Sequence, residues 1–299
     1  VLGPTLVRNR MAKVALPGGC SIGSRPIDIH LKGLQDMGAN IYIDGGYVFA
    51  EAENGLKGAT ISFPFASVGA TQNIILAATL AEGNTIIKNA AREPEIVDLC
   101  SCLKKMGAII SGEGSSEVRI AGVKSLNGAI HEIIMDRIEL GTFVLAPVVA
   151  GGKIILQNAR LETLMSFAET IKGLGVSIFE DSDGVHVFRK NSTLKSTNVT
   201  TGPFPEFPTD LQPQIMTVLG LANGKSVIIE DIFENRFMHA PELNRMGANI
   251  VVKGKKAIIS GVEAYRGVPV IASDLRAAAS LVLAGLAAKG VTKIDGIHH

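Results

Sequence analysis

A short signature recurs four times along the chain and limits the folds open to it. It reads Leu34-Gln-Asp-Met-Gly-Ala39, Leu103-Lys-Lys-Met-Gly-Ala108, Ile171-Lys-Gly-Leu-Gly-Val176 and Leu243-Asn-Arg-Met-Gly-Ala248. Its glycines, at 38, 107, 175 and 247, lie 69, 68 and 72 residues apart. A glycine placed there fits a helix that ends in a left-handed residue. A β-branched stretch with turn residues follows each one (41–50, 109–120, 177–188 and 250–259). A second helical pattern comes next and is expected to close on Gly83, Gly152, Gly224 and Gly290, ahead of strands such as Thr85-Ile-Ile87 and Ser226-Val-Ile-Ile229. Repeats of this length that mix strands and helices are too long for a solenoid and predict duplicated α/β modules.

The second helix of each repeat opens on a capping type of residue: Ser67, Asp136, Asp210 and Asp274, at 29, 29, 35 and 27 residues past the signature glycine. Capping is the plain reading of all four. Asp210 departs from the pattern, because its repeat is longer and Pro203, Phe204, Pro205, Phe207 and Pro208 crowd ahead of it. A proline-stiffened insert that presents one carboxylate implies a held geometry. The small residues of Ser67-Val-Gly-Ala70 leave free N–H groups at a helix start, which attracts phosphate.

A second constraint comes from Pro17-Gly-Gly-Cys-Ser-Ile-Gly-Ser-Arg-Pro26. Three glycines and two prolines in ten residues make this a loop of special backbone geometry. It carries the thiol Cys20 and the guanidinium Arg25. The loop is either a surface turn with an incidental cysteine or a site where a cation lowers a thiol pKa beside an anionic substrate. Cys100 and Cys102, two apart on a predicted helix, point away from one another and read as packing residues. Arg92-Glu-Pro-Glu95 reads as a helix start with proline at its first position. Phe233-Glu-Asn-Arg-Phe-Met-His239 is a polar–aromatic loop after a strand, either a packed connection or part of a site.

Composition then excludes several classes. The 29 basic and 28 acidic residues nearly cancel, which gives no support to a nucleic-acid or membrane-surface partner. Three cysteines in 299 residues suit a reducing compartment, and a cytoplasmic location is expected. No metal-ligand pattern appears, no apolar run is long enough to span a membrane, and no signal peptide is visible.

With these stretches in hand, the sequence resembles the UDP-N-acetylglucosamine 1-carboxyvinyltransferases, a branch of the enolpyruvyl transferase family. The likeness is carried by residues 16–30 around the cysteine loop, Asn89-Ala-Ala-Arg-Glu-Pro-Glu-Ile-Val-Asp98, Pro208-Thr-Asp210, residues 233–239 and Ser273-Asp-Leu-Arg276. The related 5-enolpyruvylshikimate-3-phosphate synthases lack the cysteine loop. The resemblance implies an α/β fold, a two-domain inside-out α/β barrel of βαβαββ units, with domains at 1–134 and 135–299 and a cleft lidded by the Cys20 loop. It implies transfer of enolpyruvyl from phosphoenolpyruvate to the 3-hydroxyl of UDP-N-acetylglucosamine, with release of phosphate, at the first committed step of peptidoglycan precursor synthesis. No metal or organic cofactor is implied, and a monomer is expected.

By the same resemblance Cys20 protonates the enol methylene and is the target of fosfomycin, Arg25 holds phosphate and carboxylate, and Asp210 sits near the sugar hydroxyl as base or positioner. Pro26, Ile27, Asp28 and Ile29, with Phe65, Ala66, Ser67, Val68 and Gly69, match the nucleotide-sugar contacts. Ile232 completes them, and Asp274 and Arg276 organise the site. Phe65 stands where some members have lysine. The family's lysine–asparagine pair and two further arginines would fall outside Val1 and His299, so the chain reads as cut at both ends and the 299-residue chain by itself is expected to be inactive. A catalytically silent UDP-sugar-binding relative is the alternative. Retention of Cys20, Arg25 and Asp210 together argues against it.

Overall fold

The structure is a computed structural model that describes residues 1–18, 22–23, 26–189 and 193–298. Contacts divide the described chain into two compact units, each with its own apolar core: residues 1–18 with 26–134, and residues 135–298 with Ile22 and Gly23.

The first unit begins with α1 (Leu2–Asn9), β1 (Met11–Ala15), α2 (Asp28–Asp36), β2 (Asn40–Asp44) and β3 (Tyr47–Glu51), whose strands form an antiparallel sheet in the order β1-β3-β2. A complete repeat follows: β4 (Thr60–Ser62), α3 (Val68–Ala78), β5 (Asn84–Lys88), α4 (Pro94–Lys105), β6 (Ile109–Ser111) and β7 (Glu117–Ala121). Its sheet runs β4-β5-β7-β6, with β4 and β5 parallel because α3 carries the chain back, and the remaining pairs antiparallel. Alternate residues point inward, such as Val118 and Ile120 on β7. The two helices differ as their sequences require. α4 buries one stripe, Ile96, Cys100 and Leu103, whereas α3 is apolar nearly all round and is packed by α1, α2 and α4.

The second unit repeats the plan. It runs α5 (Arg137–Ala150), β8 (Lys153–Gln157), α6 (Met165–Gly173), β9 (Ser177–Asp181) and β10 (Gly184–Phe188), with sheet order β8-β10-β9. Then come β11 (Leu194–Lys195), β12 (Val199–Thr200), α7 (Gln212–Leu219), β13 (Ala222–Asn223), β14 (Lys225–Ile229), α8 (Ala240–Arg245), β15 (Asn249–Lys253) and β16 (Lys256–Ser260). Their main sheet, β12-β14-β16-β15, has the order of the first unit's complete repeat. Last are β17 (Tyr265–Arg266), β18 (Pro269–Ile271), α9 (Leu275–Ala287), β19 (Ala288–Lys289) and β20 (Lys293–Asp295), with β18 parallel to β20. Helices α5, α7 and α9 pack on one another, and every residue of α7 is buried. Helices inside and sheets outside are the βαβαββ architecture that the resemblance implies.

One expectation needs correction. The signature glycines do follow helices, with φ of 94°, 102°, 88° and 97°. Gly83, Gly224 and Gly290 do not close theirs: α3 stops at Ala78, α7 at Leu219 and α9 at Ala287. Between helix and glycine the chain makes a short parallel pairing, Glu82 with Lys57, β13 with β11 and β19 with β17. That pairing bonds backbone groups of the linking residues themselves, such as Glu82 N–H to the Leu56 carbonyl and Gly58 N–H to the Glu82 carbonyl. The glycines, with φ of 90°, 107° and 100°, instead turn the chain into the next strand. Each complete repeat then leaves its last strand through a glycine, Gly122 or Gly261, where a Cβ would lie 1.6 Å from the carbonyl oxygen of Ala81 or Ala222. Among the described residues no helix is long and apolar enough to cross a membrane.

Candidate active site

In the first unit two helix starts adjoin. α2 begins after Ile27, which offers no side-chain cap; Pro26 and Asp28 are exposed and Ile29 is buried in the core. α3 begins after Ser67, whose Oγ accepts the Ala70 N–H at 3.4 Å, with Phe65 exposed ahead of it. Gly69 lets the two meet, because a Cβ there would lie 3.3 Å from Cε1 of His30 on α2. Burial holds the His30 pKa below the usual histidine value. The structure therefore brings together the two predicted stretches, Pro26–Ile29 and Phe65–Gly69, around N–H groups that favour an anion. Cys20 and Arg25 lie outside the described residues.

The second unit assembles its groups around Asp210. The insert is tied down where Gly202 N–H donates to the Phe207 carbonyl at 3.0 Å and Phe207 enters the core against Phe167. The chain then turns through a 3₁₀ segment, Thr209–Leu211, before α7. Asp136 and Asp274 cap α5 and α9 through their backbone N–H groups, as capping residues do. Asp210 caps nothing. Its Oδ1 accepts from Arg236 Nη2 at 2.8 Å and its Oδ2 from Arg276 Nη2 at 2.9 Å. These are charge-assisted distances, and among the described residues no further donor reaches either oxygen. Arg236 is 2 % exposed and Asp210 38 %, so the arginine is a fixed base beneath a carboxylate that solvent or a ligand can reach. Arg276 follows the cap of α9, whose Asp274 also accepts from the Ser273 hydroxyl at 3.0 Å.

The 230–239 loop supplies the rest. Arg236 lies over the Phe233 ring, 5.5 Å from its centroid. His239 is buried beside it, and burial pushes its pKa down to about 4. Ile232 is exposed on the same loop. Asn235 N–H donates to the Ile22 carbonyl at 3.0 Å, and Gly23 lies against Phe233 and Glu234. The sequence singles out residues 233–239 of this loop but assigns no role to Arg236 or His239, and Glu230 lies outside that stretch. The arginine's place in a dense polar–aromatic motif was the available signal. Elsewhere Asp181, Asp183 and His186 come within ligand reach of one another at the β9–β10 turn. Asp181 there already accepts from the Asp183 N–H and pairs with His186 Nε2, both at 2.9 Å.

With this geometry in place, the comparisons carry weight. The sequence matches the EPSP synthase (3-phosphoshikimate 1-carboxyvinyltransferase) family over residues 2–299. The chain belongs to this family. Among its carboxyvinyltransferase relatives, two proteins named UDP-N-acetylglucosamine 1-carboxyvinyltransferase are 55 % identical (Dinoroseobacter shibae) and 57 % identical (Acidiphilium cryptum). Both matches cover all of this chain and 71 % of the relative. The fold is that of the enolpyruvyl transferase NikO from Streptomyces tendae, with a TM-score of 0.87 at 24 % identity over 99 % of this chain and 71 % of that one. EPSP synthase from Acinetobacter baumannii superposes with a TM-score of 0.73 at 22 % identity, covering 99 % of this chain and 72 % of that one.

Proposed function

We propose that this protein transfers the enolpyruvyl group of phosphoenolpyruvate to the 3-hydroxyl of UDP-N-acetylglucosamine and releases phosphate, in bacterial cell-wall synthesis. The observation that carries the reading is identity of 54–57 % over the whole chain to relatives named for that activity. In the addition step, the Cys20 thiol gives a proton to the enol methylene while the sugar oxygen attacks the adjacent carbon. Asp210 accepts the hydroxyl proton on a free lone pair while Arg236 and Arg276 hold its orientation. Elimination then removes a proton from the methyl group formed in the first step and expels phosphate, which restores the carbon–carbon double bond. Arg25 receives the phosphate or carboxylate in its planar fork. The adjoining starts of α2 and α3 take the nucleotide diphosphate through backbone N–H groups. Both substrates are polar intracellular metabolites, which supports a cytoplasmic location.

The test is phosphate release by the full-length protein given both substrates, with either substrate alone as control. Turnover only with both is expected; binding of the sugar nucleotide without turnover would turn the reading into that of a silent relative. Fosfomycin should label Cys20 alone. Cys100 is buried on α4 and burial pushes its thiol pKa up to about 12, which leaves it inert. Mass spectrometry that finds the label on Cys100 or Cys102 would remove Cys20 from the mechanism.

A further inference from the structure

Glu230 is a carboxylate 1 % exposed, and no cation pairs with it among the described residues. Burying such a group is costly unless donors surround it. Here they do: the Thr209 hydroxyl lies 3.0 Å from both oxygens, and Oε1 accepts the N–H groups of Ile232 at 3.0 Å and Phe233 at 3.1 Å. One side chain thus ties the turn that carries Asp210 to the loop that carries Arg236.

The first unit makes the corresponding link differently, at a helix start to which no acid–base role is given. Asn89 is the residue directly after β5, as Glu230 is directly after β14. Asn89 Nδ2 donates to the Phe63 carbonyl at 3.1 Å, in the segment that leads from β4 to α3. A neutral amide is enough to hold strand to helix start there. The second unit uses a buried charge for the same link, at a helix start where Asp210 does not cap.

We infer that Glu230 is a positioning residue for the transfer reaction, fixing Asp210 and Arg236 in register through Thr209 and the backbone of Ile232 and Phe233. The inference rests on the role of Asp210 proposed above. Small displacements of a reacting group carry large rate penalties. The side chain touches no reacting atom in this account; it acts through Asp210.

The experiment is a kinetic double-mutant cycle in the full-length protein. Glu230→Gln keeps volume and supplies the neutral amide that serves at Asn89, so the fold is kept. It is expected to lower kcat about tenfold or more, with the KM for the sugar nucleotide within about threefold. Thr209→Val should reproduce the loss and Thr209→Ser should restore most of the rate. In an Asp210→Asn background, Glu230→Gln should have little further effect on kcat, which a merely structural role would not produce. Wild-type kcat in Glu230→Gln overturns the inference, and so does a full additional loss in the Asp210→Asn background. If Asp210→Asn itself leaves kcat unchanged, the proposed role of Asp210 falls and takes the inference with it.

Discussion

The two complete repeats, β4 to β7 and β12 to β16, share a strand order, a parallel first pair and the same glycine exits. They differ at the start of the inner helix. In the first, Ser67 caps α3 and does nothing else that the geometry reveals. In the second, an insert and a 3₁₀ turn lift Asp210 out of capping range and hand its carboxylate to two arginines. Where the backbone N–H groups are served, the residue is architecture. Where an acid is withdrawn from them and held by side chains, as Asp210 is, it is the group to which the proposed mechanism gives a role.

Substitutions can break this comparison. The largest effect is expected from Asp210→Asn in the full-length protein: at least a ~100-fold fall in kcat, with sugar-nucleotide affinity changed much less, because a lost proton acceptor acts on the transition state. Collapse of affinity with turnover intact would make Asp210 a binding residue and erase the contrast with Ser67.

The next effect is on stability and belongs to the second unit. His239 has a folded pKa near 4, against about 6.5 for an unfolded histidine. As pH falls below 6.5 the unfolded chain takes up a proton that the folded chain refuses, so stability declines until pH reaches about 4. The difference amounts to about 3 kcal/mol across that window. Denaturant titrations at pH 7 and pH 4.5 should show the decline, and His239→Asn should flatten it. An unchanged slope in that variant would assign the acid sensitivity to other groups.

The smallest effect sharpens the same contrast. Ser67→Ala removes a cap and should cost about 1 kcal/mol of stability. Its kcat should stay within about threefold of wild type, since the backbone N–H groups at the α3 start remain. A drop in kcat as deep as that of Asp210→Asn would show that the serine hydroxyl takes part in the reaction and that the two helix starts are alike.

Much of the fold was legible because repetition and glycine placement report backbone geometry directly. The signature glycines marked helix ends, and the 41–50 and 250–259 stretches became hairpins. Gly83, Gly224 and Gly290 were misread because a glycine with positive φ looks the same whether it ends a helix or turns a chain between strands. The short parallel pairings that separate those cases join residues far apart in sequence. Asp210 stood out through its insert. Arg236 did not, and Arg276 came only through the resemblance, since pairing of residues 210, 236 and 276 depends on how α7, α8 and α9 are set around one core. Glu230 left no local trace, for nothing in Ile228-Ile-Glu-Asp231 tells a buried acid from a solvated one.

Gly122 and Gly261 carry a consequence for the history of the chain. A side chain at either point would occupy the place of a backbone oxygen, so no amino acid but glycine can be exchanged in without moving two crossing segments. After an ancestral module was copied, most positions could drift; these crossings could not. Around these fixed crossings the two inner helix starts differ, one with the capping Ser67 and the other with Asp210 held between Arg236 and Arg276.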